Sequence, residues 1–224
     1  AFGNTPYNSI SAFAGNYLII SPDLLMVEGL LLKDDLTHAP SNETGIDYPG
    51  VMAYKDRLLD RAFEQFKSRP PDENFRSFCS RNAAWLDDYA LFKSIKAAQG
   101  EKAWSSWPQG LRDRQKESLD KAKDELKERI ERERFVQYTF FKQWNSLKER
   151  CNSREINIIG DIPIYVNYDS ADVWSHQDLF KLDAEKKQVS SAGVPPDYFS
   201  TTGQLWGNPI YDWDALQKSG YSWW

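Results

Sequence analysis

The sequence predicts an α/β fold, and three observations carry that reading. From Met52 to Arg150 apolar residues recur at three- and four-residue spacings, the mark of amphipathic helices. At Asn152 the period changes, and two β-branched runs, Ile156-Asn-Ile-Ile159 and Ile162-Pro-Ile-Tyr-Val166, flank Gly160-Asp161. An apolar run on both faces suits a buried parallel strand, and a helix feeding directly into it is the alternation of an α/β fold.

Taken in order, residues 2–16 are rich in Gly, Asn, Ser and Pro and read as a loop. Ser21-Pro22-Asp23 then signals a helix start with proline in the first turn, opening a short apolar helix over residues 24–32. Turn formers return from His38 to Pro49. Residues 52–67 place Leu58, Leu59, Ala62, Phe63 and Phe66 on one helical face, and residues 85–97 do the same with Trp85, Tyr89, Phe92 and Ile95. The segment 112–134 has 17 charged residues of 23, nine basic and eight acidic. So evenly mixed a run reads as a solvated helix laced with i,i+4 pairs. Residues 135–150 continue it, with Phe140, Trp144, Leu147 and Cys151 as the expected core stripe. Asp161 leaves the end of the strand over Ile156–Ile159, where catalytic and binding groups of barrel proteins sit. An aspartate there is equally a turn former or helix cap.

Composition narrows the function. A net charge of −5 and the absence of a polybasic stretch argue against a broad nucleic-acid or membrane surface. The apolar run at residues 24–32, interrupted by Glu28, falls short of the roughly 20 residues a membrane helix needs. Two cysteines, Cys79 and Cys151, cannot build a zinc cluster and read as core thiols; His38 and His176 carry no assigned role. The bias worth following is aromatic: 9 Trp, 11 Tyr and 12 Phe, with eight of them between Gly193 and Trp224 among only four charges. Such a cluster is either a core or a cleft lined with flat rings, of the kind that takes the apolar C–H faces of sugars. The chain opens on Ala1 and closes on Trp223-Trp224 without a polar tail, which reads as a piece of a longer protein.

Three segments resemble one family. Thr5-Pro-Tyr-Asn-Ser-Ile-Ser-Ala-Phe-Ala-Gly-Asn16, IIGDIPIYVNYDSADVWSH at 158–176 and GVPPDYFSTTGQLWGNPIYDW at 193–213 together are similar to the 4-α-glucanotransferases of glycoside hydrolase family 77, known as amylomaltase or disproportionating enzyme. The third is long and specific. Two positions depart from the family pattern, Tyr17 where proline is common and Thr5 where serine is usual.

The resemblance implies part of a (β/α)8 barrel with a largely helical insertion, an incomplete single catalytic domain. Residues 1–37 would follow the second strand, 38–150 would form the insertion, and 151–224 would hold the third strand and a glucan-binding loop. It implies retaining transfer of an α-1,4-glucan segment to the 4-hydroxyl of glucose or another maltooligosaccharide. Neither metal nor organic cofactor is expected, and neither nucleic acid nor membrane as partner. The family's nucleophile and acid/base would lie beyond Trp224, so no carboxylate here is assigned catalysis. By position in the motifs, Tyr7, Asp161, Asp197, Tyr198, Phe199, Gln204, Trp206 and Asn208 are the expected substrate contacts. Rings would face pyranose C–H groups while carboxylates and amides bond hydroxyls. Plain α-glucan hydrolysis and a non-catalytic glucan-binding module are the alternatives. Cytoplasm, or plastid stroma, is the expected location.

Overall fold

A computed structural model describes residues 8–40, 45–161 and 164–224. Its helices are α1 (Pro22–Val27), α2 (Tyr48–Lys67), α3 (Glu73–Ala98), α4 (Gln109–Arg112), α5 (Lys116–Glu125), α6 (Lys127–Asn152), α7 (Ala171–Ser175) and α8 (Trp213–Lys218). Strands β1 (Ser191–Val194) and β2 (Gln204–Pro209) form an antiparallel pair, so the chain mixes helix and sheet. None of the helices is long and apolar enough to cross a membrane among the described residues. Two compact units divide the chain: one holds residues 8–13, Leu91–Leu126 and Asp161–Trp224, the other Ala14–Ala90 and Lys127–Gly160.

In the second unit α1 starts as its sequence signals, with Ser21 Oγ accepting from the Leu24 N–H and Pro22 in the first turn. It stops at Val27, short of Leu32, because Gly29 turns the chain at φ 69°. Helix α2 buries Leu58, Leu59, Ala62 and Phe63, and Phe63 and Phe66 meet Phe135 of α6 at 5.6 and 4.8 Å between ring centroids. That contact sets the buried face of α6 as Ile130, Phe135, Val136, Gln137 and Thr139. Of the stripe expected from Phe140 to Cys151, Phe140 packs against this core, whereas Leu147 is exposed. Gln137 is fully buried, and its amide accepts from the Gly15 N–H at 2.8 Å and donates to the Gly15 carbonyl at 3.1 Å. A side chain on Gly15 would run into the Phe140 ring, only 2.0 Å from an ideal Cβ.

The expected strand at Ile156–Ile159 is not a strand. Glu155 turns the chain at φ 60°, residues 156–161 have no ladder partners, and Ile156, Ile158 and Ile159 face solvent, the last 95% exposed. A parallel strand exists only where neighbours take its N–H and C=O groups and cover its faces, and no described segment does so here. The charged run 112–134 is also less continuous than expected, since Arg114 turns the chain at φ 55° between α4 and α5 and Leu126 ends α5.

The first unit is built on rings. Phe92, Trp107 and Trp174 pack with centroids 5.4 to 5.8 Å apart. The fully buried Trp104 donates its indole N–H to the Tyr168 carbonyl at 2.7 Å, and Lys96 pairs with Asp169 at 2.6 Å. The sheet content lies in the segment where the resemblance implies a glucan-binding loop: β1 and β2 pair Ser191 with Pro209, Gly193 with Leu205 and Val194 with Gln204.

Candidate functional site

Strand alternation places Gln204 and Trp206 on one face of β2, and the pairing turns irregular beyond them, where Gly207 takes φ 80° before Asn208. Three contacts define the site. Trp206 donates its indole N–H to Gln204 Oε1 at 3.0 Å, Asn208 Nδ2 donates to the Val166 carbonyl at 2.9 Å, and Tyr165 meets Trp206 edge-on with centroids 6.0 Å apart. Trp206 remains 43% exposed, so the ring is fixed by its neighbours and still open to solvent. The hairpin closes tightly because of glycine. Gly193 leaves no room for a Cβ against the Gln204 carbonyl, 2.5 Å away, and Gly203 takes φ 73° against the Val194 carbonyl.

The loop from Pro195 to Gly203 braces itself. Asp197 Oδ1 accepts from the N–H groups of Phe199 and Ser200 at 2.9 and 2.7 Å, its own N–H donates to the Ser200 carbonyl, and Ser200 Oγ donates to Gly203 O at 2.7 Å. This tip carries Tyr198 and Phe199, 95% and 89% exposed, with their rings edge-on 5.5 Å apart. Two large exposed rings on a self-braced turn form an apolar patch at the surface.

Of the residues expected from sequence, the structure thus brings Gln204, Trp206 and Asn208 together and sets Asp197, Tyr198 and Phe199 on the adjoining loop. Asp161 stands exposed and takes no part in these contacts. Tyr7 lies outside the described residues; its neighbour Asn8 accepts a hydrogen bond from Asn167 Nδ2. The aromatic cluster proves to be core and surface at once, because Tyr211 is buried against Tyr165, Phe180, Trp213, Trp223 and Trp224 while Trp206, Tyr198 and Phe199 are exposed. Burial pushes the Tyr211 phenol up, out of reach of ordinary pH.

Sequence reasoning missed Tyr165, which backs Trp206, and Asp172, a carboxylate buried at the start of α7. Both sit within the second family-like segment, which was the available signal. Burial raises the Asp172 carboxyl to about 6, against the opposing pull of hydrogen bonds from Ala12 N–H and the Ser11 hydroxyl. A cavity of about 460 Å³ in the other unit holds none of these residues. Its polar rim is closed on itself, Lys142 pairing with Glu28 at 2.8 Å and Tyr138 donating to Asp72 at 3.1 Å.

An exposed indole is hydrogen-bonded to an amide beside a loop that carries two further exposed rings. Residues 2–224 match glycoside hydrolase family 77, described as 4-alpha-glucanotransferase. The chain is 46% identical over 222 residues to the 4-alpha-glucanotransferase of Aquifex aeolicus, covering 99% of this chain and 44% of that protein. It is 36% identical to the chloroplastic/amyloplastic enzyme of Arabidopsis thaliana, covering 99% of this chain and 39% of that one. Among solved structures, an amylomaltase from Streptococcus agalactiae in complex with acarbose superposes with a TM-score of 0.92 at 40% identity, over 100% of this chain and 46% of its own. The chain belongs to the 4-α-glucanotransferase family. It spans about half the length of the curated relatives it matches.

Proposed function

We propose that this chain is part of a 4-α-glucanotransferase that moves a segment of an α-1,4-glucan onto the 4-hydroxyl of glucose or of another maltooligosaccharide. The observation that carries the proposal is the coincidence of family membership over residues 2–224 with an exposed Trp206 fixed by Gln204. In this reading the chemistry is retaining, a covalent glycosyl-enzyme being intercepted by a sugar hydroxyl instead of water. The nucleophile and acid/base belong to the part of the family's length that this chain does not span. What these residues supply is substrate placement. Trp206, Tyr198 and Phe199 present faces to glucose rings, Gln204, Asn208, Asp161 and Asp197 bond hydroxyls, and Tyr7 adds an aromatic wall. No metal or organic cofactor enters the reading.

The same proposal gives the run at Ile156–Ile159 its partners. It becomes the third strand of a (β/α)8 barrel, with 1–37 before it, 38–150 as insertion and 151–224 continuing into the cleft. Cytoplasm is the proposed location, plastid stroma its counterpart in a plant.

Incubation of the complete protein with maltotriose tests the activity. Glucose together with longer oligosaccharides, with little net gain of reducing ends, is the expected result. Steady growth of reducing ends without longer products would replace transfer by hydrolysis, and binding without any turnover would reduce the protein to a glucan-binding module.

A further inference from the structure

Helix α6 lines the cavity of about 460 Å³ in its unit with Phe135, Tyr138, Thr139 and Lys142, whose spacings put them on one helical face. Phe66 of α2 supplies a further ring, its centroid 4.8 Å from Phe135 and 6.4 Å from Tyr138. Phe66 and Tyr138 are only partly buried. Glu28, Arg69 and Asp72 complete the rim from the turns that bound α1, α2 and α3.

The charges of that rim are already engaged. Lys142 holds Glu28 at 2.8 Å, and Arg69 donates to the carbonyls of Glu28 and Gly29. Asp72 accepts from the Tyr138 hydroxyl at 3.1 Å and from the N–H groups of Asn74 and Phe75 at the start of α3. Two anions and two cations cancel, so an ion of either sign finds no excess charge here. Burial and the Asp72 carboxylate push the Tyr138 phenol up to about 12, which keeps it an O–H donor. Thr139 is the exception. It is 4% exposed, it lines the cavity, and its hydroxyl has no hydrogen-bond partner among the described residues. A helical threonine can return its hydroxyl to the carbonyl one turn back, and this one does not. A buried hydroxyl costs free energy until something in the cavity bonds it.

We propose that this cavity is a binding site for a small neutral sugar. A pyranose has apolar C–H faces for the rings of Phe66 and Tyr138, and hydroxyls that both donate and accept. One hydroxyl bonds Thr139, and others take the spare lone pairs of Glu28 and Asp72 and the spare N–H groups of Lys142 without breaking the pairs that hold the rim. The volume lies within the roughly 300–1,000 Å³ of small-molecule pockets. A phosphorylated sugar meets two carboxylates and no unpaired cation. The proposal is independent of how the face of β2 is read, since Trp206 belongs to the other unit.

Hydrogen–deuterium exchange of the complete protein titrated with D-glucose tests it, because glucose alone offers no glycosidic bond to transfer. The expected result is saturable protection of peptides covering 64–75 and 135–142, absent with glucose 6-phosphate. Thr139→Val keeps the shape of the side chain and removes its hydroxyl, and should raise the midpoint concentration about three- to tenfold, the loss of one hydrogen bond. Trp206→Ala should leave that midpoint unchanged. Should Thr139→Val fail to fold, Lys142→Ala at the exposed rim is titrated in its place, with the same rise expected. No protection in the wild type, which would mean a cavity filled by water only, would overturn the proposal. So would an unshifted midpoint in the cavity variant, stronger protection by glucose 6-phosphate, or loss of protection at these peptides in Trp206→Ala. Normal transfer kinetics in Trp206→Ala would sink the reading of the β2 face and leave this titration to decide the cavity.

Discussion

Trp206 and Gln204, two residues apart on β2, are joined by a 3.0 Å hydrogen bond from the indole N–H to the amide oxygen. The bond holds a large ring at a fixed angle on an exposed face, and it commits the amide oxygen, leaving the amide N–H groups as donors toward whatever lies on that ring. A preorganised ring loses less freedom on binding than a mobile one.

Gln204→Ala removes the brace on the ring and, in the proposed reading, a partner for glucan hydroxyls. It is expected to lower kcat/KM for maltotriose by about tenfold in the complete protein, roughly 1.4 kcal/mol. Steady-state kinetics on the variant check this, and unchanged kcat/KM would mean that the bond fixes nothing substrate uses.

Gly15 is a packing requirement. Its carbonyl and N–H are both taken by Gln137, and the Phe140 ring occupies the space a side chain would need. Gly15→Ala is expected to destabilise by about 1–3 kcal/mol through overpacking, read as a lower thermal midpoint with kcat/KM of the folded fraction retained.

Asp172 gives a pH dependence whose sign follows from its raised carboxyl. Folded protein binds this proton more tightly than unfolded chain, so the group's contribution to stability is full below the unfolded value of 3.8 and is lost as pH rises through about 6. The full span is about 3 kcal/mol. Asp172→Asn lacks this titration. Its thermal midpoint relative to wild type should climb between pH 4 and pH 7, and a pH-independent difference would show that the carboxyl is not perturbed.

The 224 residues expressed alone are expected to lack transferase activity and to aggregate with rising concentration. Ile156, Ile158 and Ile159 stand exposed on a segment outside any sheet ladder, which is an apolar surface for association. Strong helical circular dichroism with a weakly cooperative melt is the expected signature. A sharp two-state transition from a monomer would contradict it.

What the sequence made legible follows from how local each signal is. The start of α1 was readable because Ser21, Pro22 and Asp23 act within one turn, and α2 because its apolar spacing is helical on its own. At Ile156–Ile159 the sequence carries a strand preference that forms no strand here, since ladder formation needs partners that no run of isoleucines contains. The hairpin of β1 and β2 was hidden for the opposite reason. Gly193 and Gly203 look like loop chemistry, yet they are what lets two backbones approach so closely. In the site, Gln204, Trp206 and Asn208 could be named from a motif, whereas Tyr165 and Asp172 act through contacts 41 to 46 residues or about 160 residues away in sequence and carry no local signature.

The central claim is that the exposed face of β2 is a glucan surface, and Trp206→Ala in the complete protein tests it most directly. The account predicts a fall in kcat/KM for maltotriose of about ten- to a few-hundredfold, roughly 1.4–3 kcal/mol of lost transition-state binding, with the thermal midpoint nearly unchanged because the ring is only partly buried. A collapse of thermal stability with normal kinetics in the surviving folded fraction would make Trp206 a core residue and contradict the claim.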